Sequence, residues 1–167
     1  SDSTLWAWGY NGTGTLGLSD IAHRSSPVQI GLSSWSAVST GGGHALGLKL
    51  DKTLWAWGNN GNGQLGQNDI VNRSSPIQVG TSSWSTVSAG GSHTAGIKLD
   101  STLWTWGFNT DGELGLNDTV HRSSPVQVGA QTYWAYVSCM EAAVAATTTN
   151  NYLFTWGRNT SGQLGDD

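Results

Sequence analysis

The side chains of this protein that could act in acid–base or metal chemistry are few and scattered along a repeated sequence. His44 and His93 each follow a glycine turn at the same place in successive repeats, so each faces its own surroundings. They could serve as metal ligands or bases, but we expect their ring nitrogens to bond buried backbone groups instead. His23 and His121 align with Asn72, which indicates that no imidazole is required there and predicts solvated side chains.

The remaining chemical motifs are equally weak. Gly12-x-Gly14-x-x-Gly17 has the letters of a dinucleotide-binding loop, but such a loop precedes a helix, and Ser-Asp-Ile-Ala-His-Arg follows soon after instead. Asp111 and Glu113 are close carboxylates, but the equivalent loops carry other residues, so paired-acid catalysis has little support. No cluster of His, Cys and Asp has the spacing of a metal site. The sequence therefore predicts a protein that is not an enzyme and holds no cofactor or metal.

Charge and hydropathy argue against two classes of partner. The formal net charge is −4, from 11 acids and 7 bases, and no run of basic residues exists that could neutralise nucleic-acid phosphates. No apolar stretch is long enough to span a membrane, and no secretory signal is visible. We therefore expect neither nucleic acid nor a membrane as a partner. The single cysteine, Cys139, excludes an internal disulfide and leaves the redox compartment open.

One segment occurs four times and organises the chain. Its first tryptophan recurs at an interval of 49 residues, and the last copy has Phe154 at an interval of 50. Periods of this length indicate arrays, solenoids or propellers. The four copies, of which the first reads STLWAWGYNGTGTLG, are Ser3–Gly17, Lys52–Gly66, Ser101–Gly115 and Tyr152–Gly165.

Each copy begins with a strand that is apolar on both faces, as expected for a strand between two layers. Alternation along Trp-x-Trp places both tryptophans on one face. Because only 37% of the residues are hydrophobic, the 10 tryptophans must supply much of the core. The predicted structural core of the repeats consists of Trp6, Trp8, Trp55, Trp57, Trp104, Trp106 and Trp156, together with His44 and His93.

A loop of the form Asn-x-x-Gly-x-Leu-Gly follows each of these strands. Asn can bond its own backbone two residues on, Gly supplies positive φ, and we expect the Leu to anchor the loop to the core. The loops are therefore predicted to be rigid corners. After three of them comes Asp-x-x-x-Arg-Ser-Ser-Pro-x-Gln. Its repeated Asp–Arg pair is expected to have a scaffold role, in which the Arg satisfies backbone carbonyls or braces a neighbouring blade.

Each repeat is expected to hold four short antiparallel strands. In chain order these are an outer strand at Arg-Ser-Ser-Pro, a strand that begins with Trp35 or its copies, an inner strand from His44 or its copies, and the inner Trp-x-Trp strand. Four strands in a unit of this length are typical of a β-propeller blade. The predicted fold class is all-β, with propeller blades of four antiparallel strands, three full repeats and a partial fourth.

These motifs together resemble a known repeat. The Val-Ser-x-Gly-x-x-His strand, the Leu-x-x-Trp-Gly-x-Asn-x-x-Gly-x-Leu-Gly corner and the following Pro-x-x-Val are similar to the repeat of the regulator of chromosome condensation family. The resemblance implies a propeller of about seven blades. We expect one array over 1–167, with repeats at about 3–51, 52–100, 101–150 and a partial 151–167. Its open ends are expected to be covered by further sequence, other copies or partners.

The third repeat departs from the pattern at one turn. Where the second repeat reads Ser-Ala-Gly-Gly-Ser-His, the third reads Ser-Cys-Met-Glu-Ala-Ala, so that Met140 and Glu141 replace a glycine pair. One interpretation is drift in a redundant repeat. The other is a partner surface, since a methionine beside an acid offers an adaptable contact area.

We therefore interpret the chain as a non-enzymatic structural or binding module that presents rigid loops to a protein or glycan partner, or to copies of itself. Few lysines and many Ser, Thr, Asn and Gly residues suit an extracellular appendage or a virion surface, although composition leaves the location unknown. The resemblance implies an alternative, which is guanine-nucleotide exchange on a small GTPase or a chromatin-associated regulator. No catalytic residue of that activity can be placed on this sequence, and the basic tail expected for chromatin docking is absent from it.

Overall fold

The computed structural model describes residues 3–165, which form twelve strands and no helix that could span a membrane. Residues 166 and 167 of the predicted partial repeat lie outside this range. Every pairing between the described strands is antiparallel. The strands are β1 (Trp6–Gly9), β2 (Arg24–Gln29), β3 (Trp35–Thr40), β4 (His44–Lys49), β5 (Thr53–Gly58), β6 (Arg73–Ala89), β7 (His93–Lys98), β8 (Leu103–Gly107), β9 (Arg122–Gln127), β10 (Trp134–Cys139), β11 (Ala143–Thr148) and β12 (Leu153–Gly157).

The strands form a row of blades, which confirms the all-β, partial-propeller fold class. Two blades have four strands, β3-β4-β5-β6 and β6-β7-β8-β9, and they share the 17-residue strand β6. The first part of β6 pairs with β5, and its second part pairs with β7. A two-stranded sheet, β1-β2, precedes these blades, and a three-stranded sheet, β10-β11-β12, follows them. The sheets do not close into a ring among the described residues.

The order of strands within a blade differs from the expected one. The Arg-Ser-Ser-Pro strand does not open a blade beside the Trp strand that follows it. Instead it pairs with the Trp-x-Trp strand that precedes it, with Trp55 opposite Gln78 and Gly58 opposite Arg73. It is therefore the fourth strand of the preceding blade, and the Trp strand is the first strand of the next. A strictly periodic sequence has no preferred starting point, so the repeat unit alone could not show where one blade ends.

Each corner packs against the blade that follows it. A Cβ atom added at Gly14 would lie 2.5 Å from Cα of Ser74, and one added at Gly63 would lie 2.5 Å from Cα of Ser123. Only glycine permits this approach of two backbones. The residue five positions after each glycine donates its N–H to the carbonyl of the same serine, at 2.8 Å for Ser19 and 2.7 Å for Asn68.

The hydrophobic core lies between blades as well as within them. One buried cluster joins Leu46 and Leu54 of one blade to Trp84 and Trp106 of the next. The rings of Trp84 and Trp106 are 5.6 Å apart in a tilted arrangement. Since each of these tryptophans contributes a large apolar area, stacking of the blades is a main source of stability.

The tryptophans of the Trp-x-Trp strands differ in exposure along the row of blades. Trp57 and Trp106 are buried between sheets, whereas Trp55, Trp104 and Trp156 are half-buried. Trp6 and Trp8 are 49% and 60% exposed, because no corner precedes β1 among the described residues. Their membership in a repeat core therefore stays a prediction.

Candidate functional site

The corners owe their rigidity to one asparagine each. Oδ1 of Asn60 accepts a hydrogen bond from the backbone N–H of Leu65 at 2.9 Å, and its Nδ2 donates to the backbone carbonyl and to Oδ1 of Asp69. Asn11 and Asn109 make the same bonds in their own repeats. The expected hydrogen bond from the Asn side chain to the backbone two residues later is replaced by one to the N–H five residues later, and this bond closes a wider loop.

The Arg of each Asp–Arg pair satisfies a backbone carbonyl of its own repeat, which is the first of the two expected roles. Arg73 donates to Oδ2 of Asp69 at 2.6 Å and to the carbonyl of Val71 at 2.7 Å. The N–H of Val71, followed by the guanidinium of Arg73, lowers the pKa of Asp69. The pairs Asp20–Arg24 and Asp118–Arg122 repeat this arrangement.

His23 and His121 are exposed, as expected, and each also accepts one hydrogen bond from the backbone. Nδ1 of each accepts a hydrogen bond from a backbone N–H, from Asn11 and Asn109 respectively, at 3.0 Å. In the middle repeat, Oδ1 of Asn72 accepts the same bond at 2.8 Å. His and Asn therefore both provide a hydrogen-bond acceptor at this position, so an imidazole is not required there.

The turns between the first two strands of successive blades line a cleft of about 840 Å³. We call it the loop-face cleft. Its floor is formed by Gly41–Gly43, Gly90–Ser92 and Met140–Ala142. The sides come from the corners and include Asn59, Asn62, Gln64, Phe108, Asp111, Glu113 and Arg158. The structure thus places the sequence-predicted Met140 and Glu141 in one cleft with Asp111 and Glu113.

The three turns form a hydrogen-bonded row. The N–H of Gly42 donates to the carbonyls of Gly90 and Gly91, and the N–H of Gly91 donates to the carbonyl of Glu141 at 3.0 Å. A Cβ atom at Gly41 would lie 2.2 Å from the carbonyl of Gly90, so the stacking requires glycine. A Cβ at Gly90 would likewise meet the carbonyl of Met140 at 2.6 Å.

The row ends at Met140 and Glu141. No further turn packs on this one among the described residues, and side chains stand here in place of the glycine pair. The backbone N–H of Glu141 is equivalent to the N–H groups of Gly42 and Gly91, which donate to the neighbouring turn. It has no acceptor among residues 3–165. Met140 is 38% exposed beside it. A further turn stacked in the same way would collide with Cβ of Met140.

This end of the cleft is acidic. Glu113 is fully buried; its Oε2 accepts a bond from the N–H of Asp111 at 2.9 Å, while its Oε1 has no partner among residues 3–165. Burial raises the pKa of Glu113. In the preceding repeat Gln64 occupies this place and donates to Asn59, but Phe108 replaces that asparagine in the third repeat. Arg158 lies 3.9 Å from Asp111, and both side chains are largely exposed.

His44 and His93 lie in the blades and do not line the cleft. Nε2 of His44 is 3.0 Å from Oγ1 of Thr94, which itself donates to the carbonyl of Gln64, so Nε2 is the donor to Thr94. Burial lowers the pKa of both histidines to about 4, which keeps them neutral at pH 7. Among residues 3–165, no group of three or more His, Cys, Asp or Glu side chains is arranged to hold a metal ion.

The family follows from comparison with known repeats. The profile of the regulator of chromosome condensation (RCC1) repeat matches residues 2–48, 51–97 and 100–141. The chain belongs to the RCC1 repeat family. A second profile of the RCC1 repeat matches 35–64 and 84–113. Comparison with functionally curated proteins gives no significant match.

Solved structures share the RCC1 fold with this chain. Human WBSCR16 superposes with a TM-score of 0.87 at 23% identity, over 98% of this chain and 45% of that one. Prp20p from Saccharomyces cerevisiae, studied for its binding to Gsp1p and histones, gives 0.83 at 20% identity, over 97% and 43%. Yeast RCC1 (Prp20) with bound Kap60 gives 0.82 at 20% identity, over 94% and 40%. The RCC1-repeat chain described here therefore spans less than half the length of these structures.

Proposed function

We propose that this RCC1-repeat protein is a non-enzymatic scaffold that binds a segment of a partner protein across the loop-face cleft, chiefly at the Met140–Glu141 turn. The observation that carries the proposal is the Met140–Glu141 turn, where an exposed methionine and an acid replace the glycine pair of the other two turns. There the N–H of Glu141 has no acceptor among the described residues and lies beside an exposed methionine. A backbone donor can bond the carbonyl of an incoming chain, and methionine adapts its shape to different side chains.

The charge of this end of the cleft favours a basic partner segment. Asp111, Glu113 and Glu141 line it, and Arg158 is the single cation in its lining among residues 3–165. Complementary charge steers association and selects among partners. A lysine or arginine of the partner would therefore sit beside Asp111 and Glu141. Relatives in fold give general support, since yeast RCC1 has been crystallised with Kap60 and the binding of Prp20p to Gsp1p and histones has been studied.

A selection experiment separates a partner surface from drift. A random peptide library displayed on phage is selected on the whole chain, with counter-selection against the double variant Met140→Gly, Glu141→Gly. This variant restores the pair found at Gly90 and Gly91, so the turn itself is preserved. We expect enrichment of peptides with Lys or Arg that the variant does not retain. A control variant, Leu32→Ser, changes a 94% exposed residue outside the cleft and should retain them. Selected peptides that bind all three proteins equally would leave drift as the explanation.

The alternative function, guanine-nucleotide exchange, comes from the family and from no residue of this chain. A nucleotide-release assay with a small GTPase tests it, and acceleration by the chain would replace the scaffold proposal. A role on an extracellular appendage or virion surface, with glycan binding or self-association, draws on composition. Glycan arrays and sedimentation at increasing protein concentration test these two forms of binding.

A further inference from the structure

The second and third corners both line the loop-face cleft, and they combine one framework with different side chains. With the residue before the asparagine included, they read Asn-Asn-Gly-Asn-Gly-Gln-Leu-Gly over 59–66 and Phe-Asn-Thr-Asp-Gly-Glu-Leu-Gly over 108–115. Four of the eight positions differ, and three of these four line the cleft in both corners. The pairs that line it are Asn59 and Phe108, Asn62 and Asp111, and Gln64 and Glu113.

The second corner presents a set of amides that bond one another. Oδ1 of Asn59 accepts hydrogen bonds from the N–H of Gly61 and from Nε2 of Gln64, both at 2.9 Å. Oε1 of Gln64 accepts one from the N–H of Asn62, also at 2.9 Å. The carbonyl oxygens of Asn59 and Gln64 are thus satisfied within a corner that carries no charge. A neutral polar side chain can exchange bonds with the amide of Asn62, which is partly exposed.

The third corner leaves one carboxylate oxygen unsatisfied. Phe108 stands in the place of Asn59, and Oε1 of the fully buried Glu113 has no hydrogen-bond partner among residues 3–165. The ring of Phe108 packs on that of His121, with centroids 4.8 Å apart. The side chain of Asp111 is 44% exposed. An unpaired buried carboxylate, together with an exposed one and an aromatic ring, favours the binding of a cation.

A cation of the chain itself already lies at the edge of this corner. Nε of Arg158 is 3.9 Å from Oδ2 of Asp111 and donates to Oγ1 of Thr160 at 3.0 Å. An exposed ion pair of this length contributes little to stability, so a basic group of a partner can take its place at Asp111.

We propose that the third corner, through Phe108, Asp111 and Glu113, is the subsite that selects a lysine or arginine side chain of the partner. The second corner selects a neutral polar side chain of the same segment. This inference rests on the proposed function and adds that specificity is divided between the corners rather than set by the acidity of the whole cleft. The ammonium or guanidinium group bonds Asp111 and lies against the ring of Phe108, and the charge of Glu113 strengthens the attraction.

A variant that combines Asn62→Asp with Asp111→Asn tests this division, because it moves the acid without changing the net charge. A peptide selected on the wild-type chain is prepared as a series with Lys, Arg or Gln at each position in turn, and calorimetry gives each dissociation constant. For the wild-type chain we expect Lys and Arg to bind at least about tenfold more tightly than Gln at one position. In the variant this preference should disappear there and arise at another position of the peptide.

The other outcomes separate this inference from the proposed function. A preference that stays at the same position, or that is lost without arising elsewhere, would overturn the division between corners while peptide binding at the cleft stands. A wild-type chain on which no peptide can be selected would overturn both proposals.

A second variant tests the buried part of the subsite. Phe108→Asn with Glu113→Gln gives the third corner the amide pair that Asn59 and Gln64 form in the second, and Asp111 is retained. The ratio of Lys to Gln affinity should fall by about threefold or more, while the affinity for the Gln peptide should stay within about twofold. Unfolding midpoints recorded for both variants show that the corners remain folded. A ratio equal to that of the wild-type chain would contradict the role given to Phe108 and Glu113.

Discussion

The indole Nε1 of Trp57 donates a hydrogen bond to the backbone carbonyl of Thr15 at 2.9 Å, and this bond joins two neighbouring blades. Trp106 bonds Gln64, and Trp156 bonds Glu113, in the same way and at the same distance. In each case the last tryptophan of the strand holds the corner of the preceding blade; its strand reads Trp-x-Trp in β5 and β8 and Phe-x-Trp in β12. The rigid corners of the loop face therefore depend on contacts between blades as well as on their own asparagines.

Replacement of Trp57 by Phe should weaken the contact between the first two blades. The variant loses a part-buried hydrogen bond and some ring area, so the free energy of unfolding should fall by about 1–3 kcal/mol. Trp8→Phe is the matched control, because Trp8 is 60% exposed and should change stability by less than about 0.5 kcal/mol. Urea unfolding measures both. Equal losses in the two variants would show that the indole bond does not hold the blades together.

Gly66→Ala should be more damaging than Gly165→Ala, although both glycines have nearly the same backbone conformation. Their φ values are +69° and +70°, so both variants bear a cost of about 1 kcal/mol for a left-handed alanine. At Gly66 the new Cβ would also lie 2.9 Å from Nε1 of Trp106, while at Gly165 it would meet no atom of residues 3–165 within 4 Å. Overpacking should add about 1–3 kcal/mol at Gly66 only. Thermal unfolding that shifts equally in both variants would refute the close contact.

Acidification should destabilise the fold before its paired carboxylates titrate. Burial lowers the pKa of His44 and His93 to about 4 in the native state, from 6.5. Between these values the unfolded chain binds more protons, so stability is full above about pH 6.5 and falls as the pH drops toward about 4. The loss should be on the order of 2–3 kcal/mol per histidine. The aspartates with lowered pKa, such as Asp69, lose their contribution only below about 3.8.

The variant His44→Gln isolates one of these histidines, because Gln retains a donor for Thr94 but does not titrate. It should lose about half of the pH dependence between 6.5 and 4. Denaturant unfolding at several pH values measures the slope. An unchanged slope would mean that protonation of His44 is not what destabilises the acidified protein.

Glu113→Gln should stabilise the protein at neutral pH. The ionised carboxylate is buried with Oε1 unpartnered among the described residues, and burial raises its pKa. Since the native state holds this proton at a higher pH than the unfolded state, the ionised group costs stability as the pH rises. The variant should gain about 1 kcal/mol at pH 7, with the gain vanishing below about pH 4.5. Gln64→Glu, the reverse change one repeat earlier, should lose stability; a gain there would contradict this explanation.

The local elements of the fold could be predicted from the sequence, because each depends on neighbouring residues. Alternation in Trp55-Ala56-Trp57 and the glycines after it specify a strand and a corner, and the repeat specifies a row of blades. The partners of the Arg-Ser-Ser-Pro strand could not be predicted. The pairing of Trp55 with Gln78 spans a whole corner, and a periodic sequence offers the same partners on both sides.

The candidate site was only partly visible in the sequence. Met140 and Glu141 stood out because they break the repeat, but their position at the end of a hydrogen-bonded row depends on three turns from separate blades. The alignment of His121 with Asn72 indicated correctly that no imidazole is required there, but the acceptor that both side chains provide became visible only in the structure. The isolation of Glu113 follows from Phe108, which could have been noticed by comparing it with Asn59 and Gln64.

The dissociation constant of a cleft-selected peptide tests the proposed scaffold function most directly. It should be measured by calorimetry for the wild-type chain and for Met140→Gly, Glu141→Gly, with unfolding midpoints recorded for both. We predict that the double variant binds the peptide at least about tenfold more weakly, which is a loss of at least ~1.4 kcal/mol in binding free energy. Its unfolding midpoint should be unchanged. Equal affinity in two equally stable proteins would contradict binding at this turn.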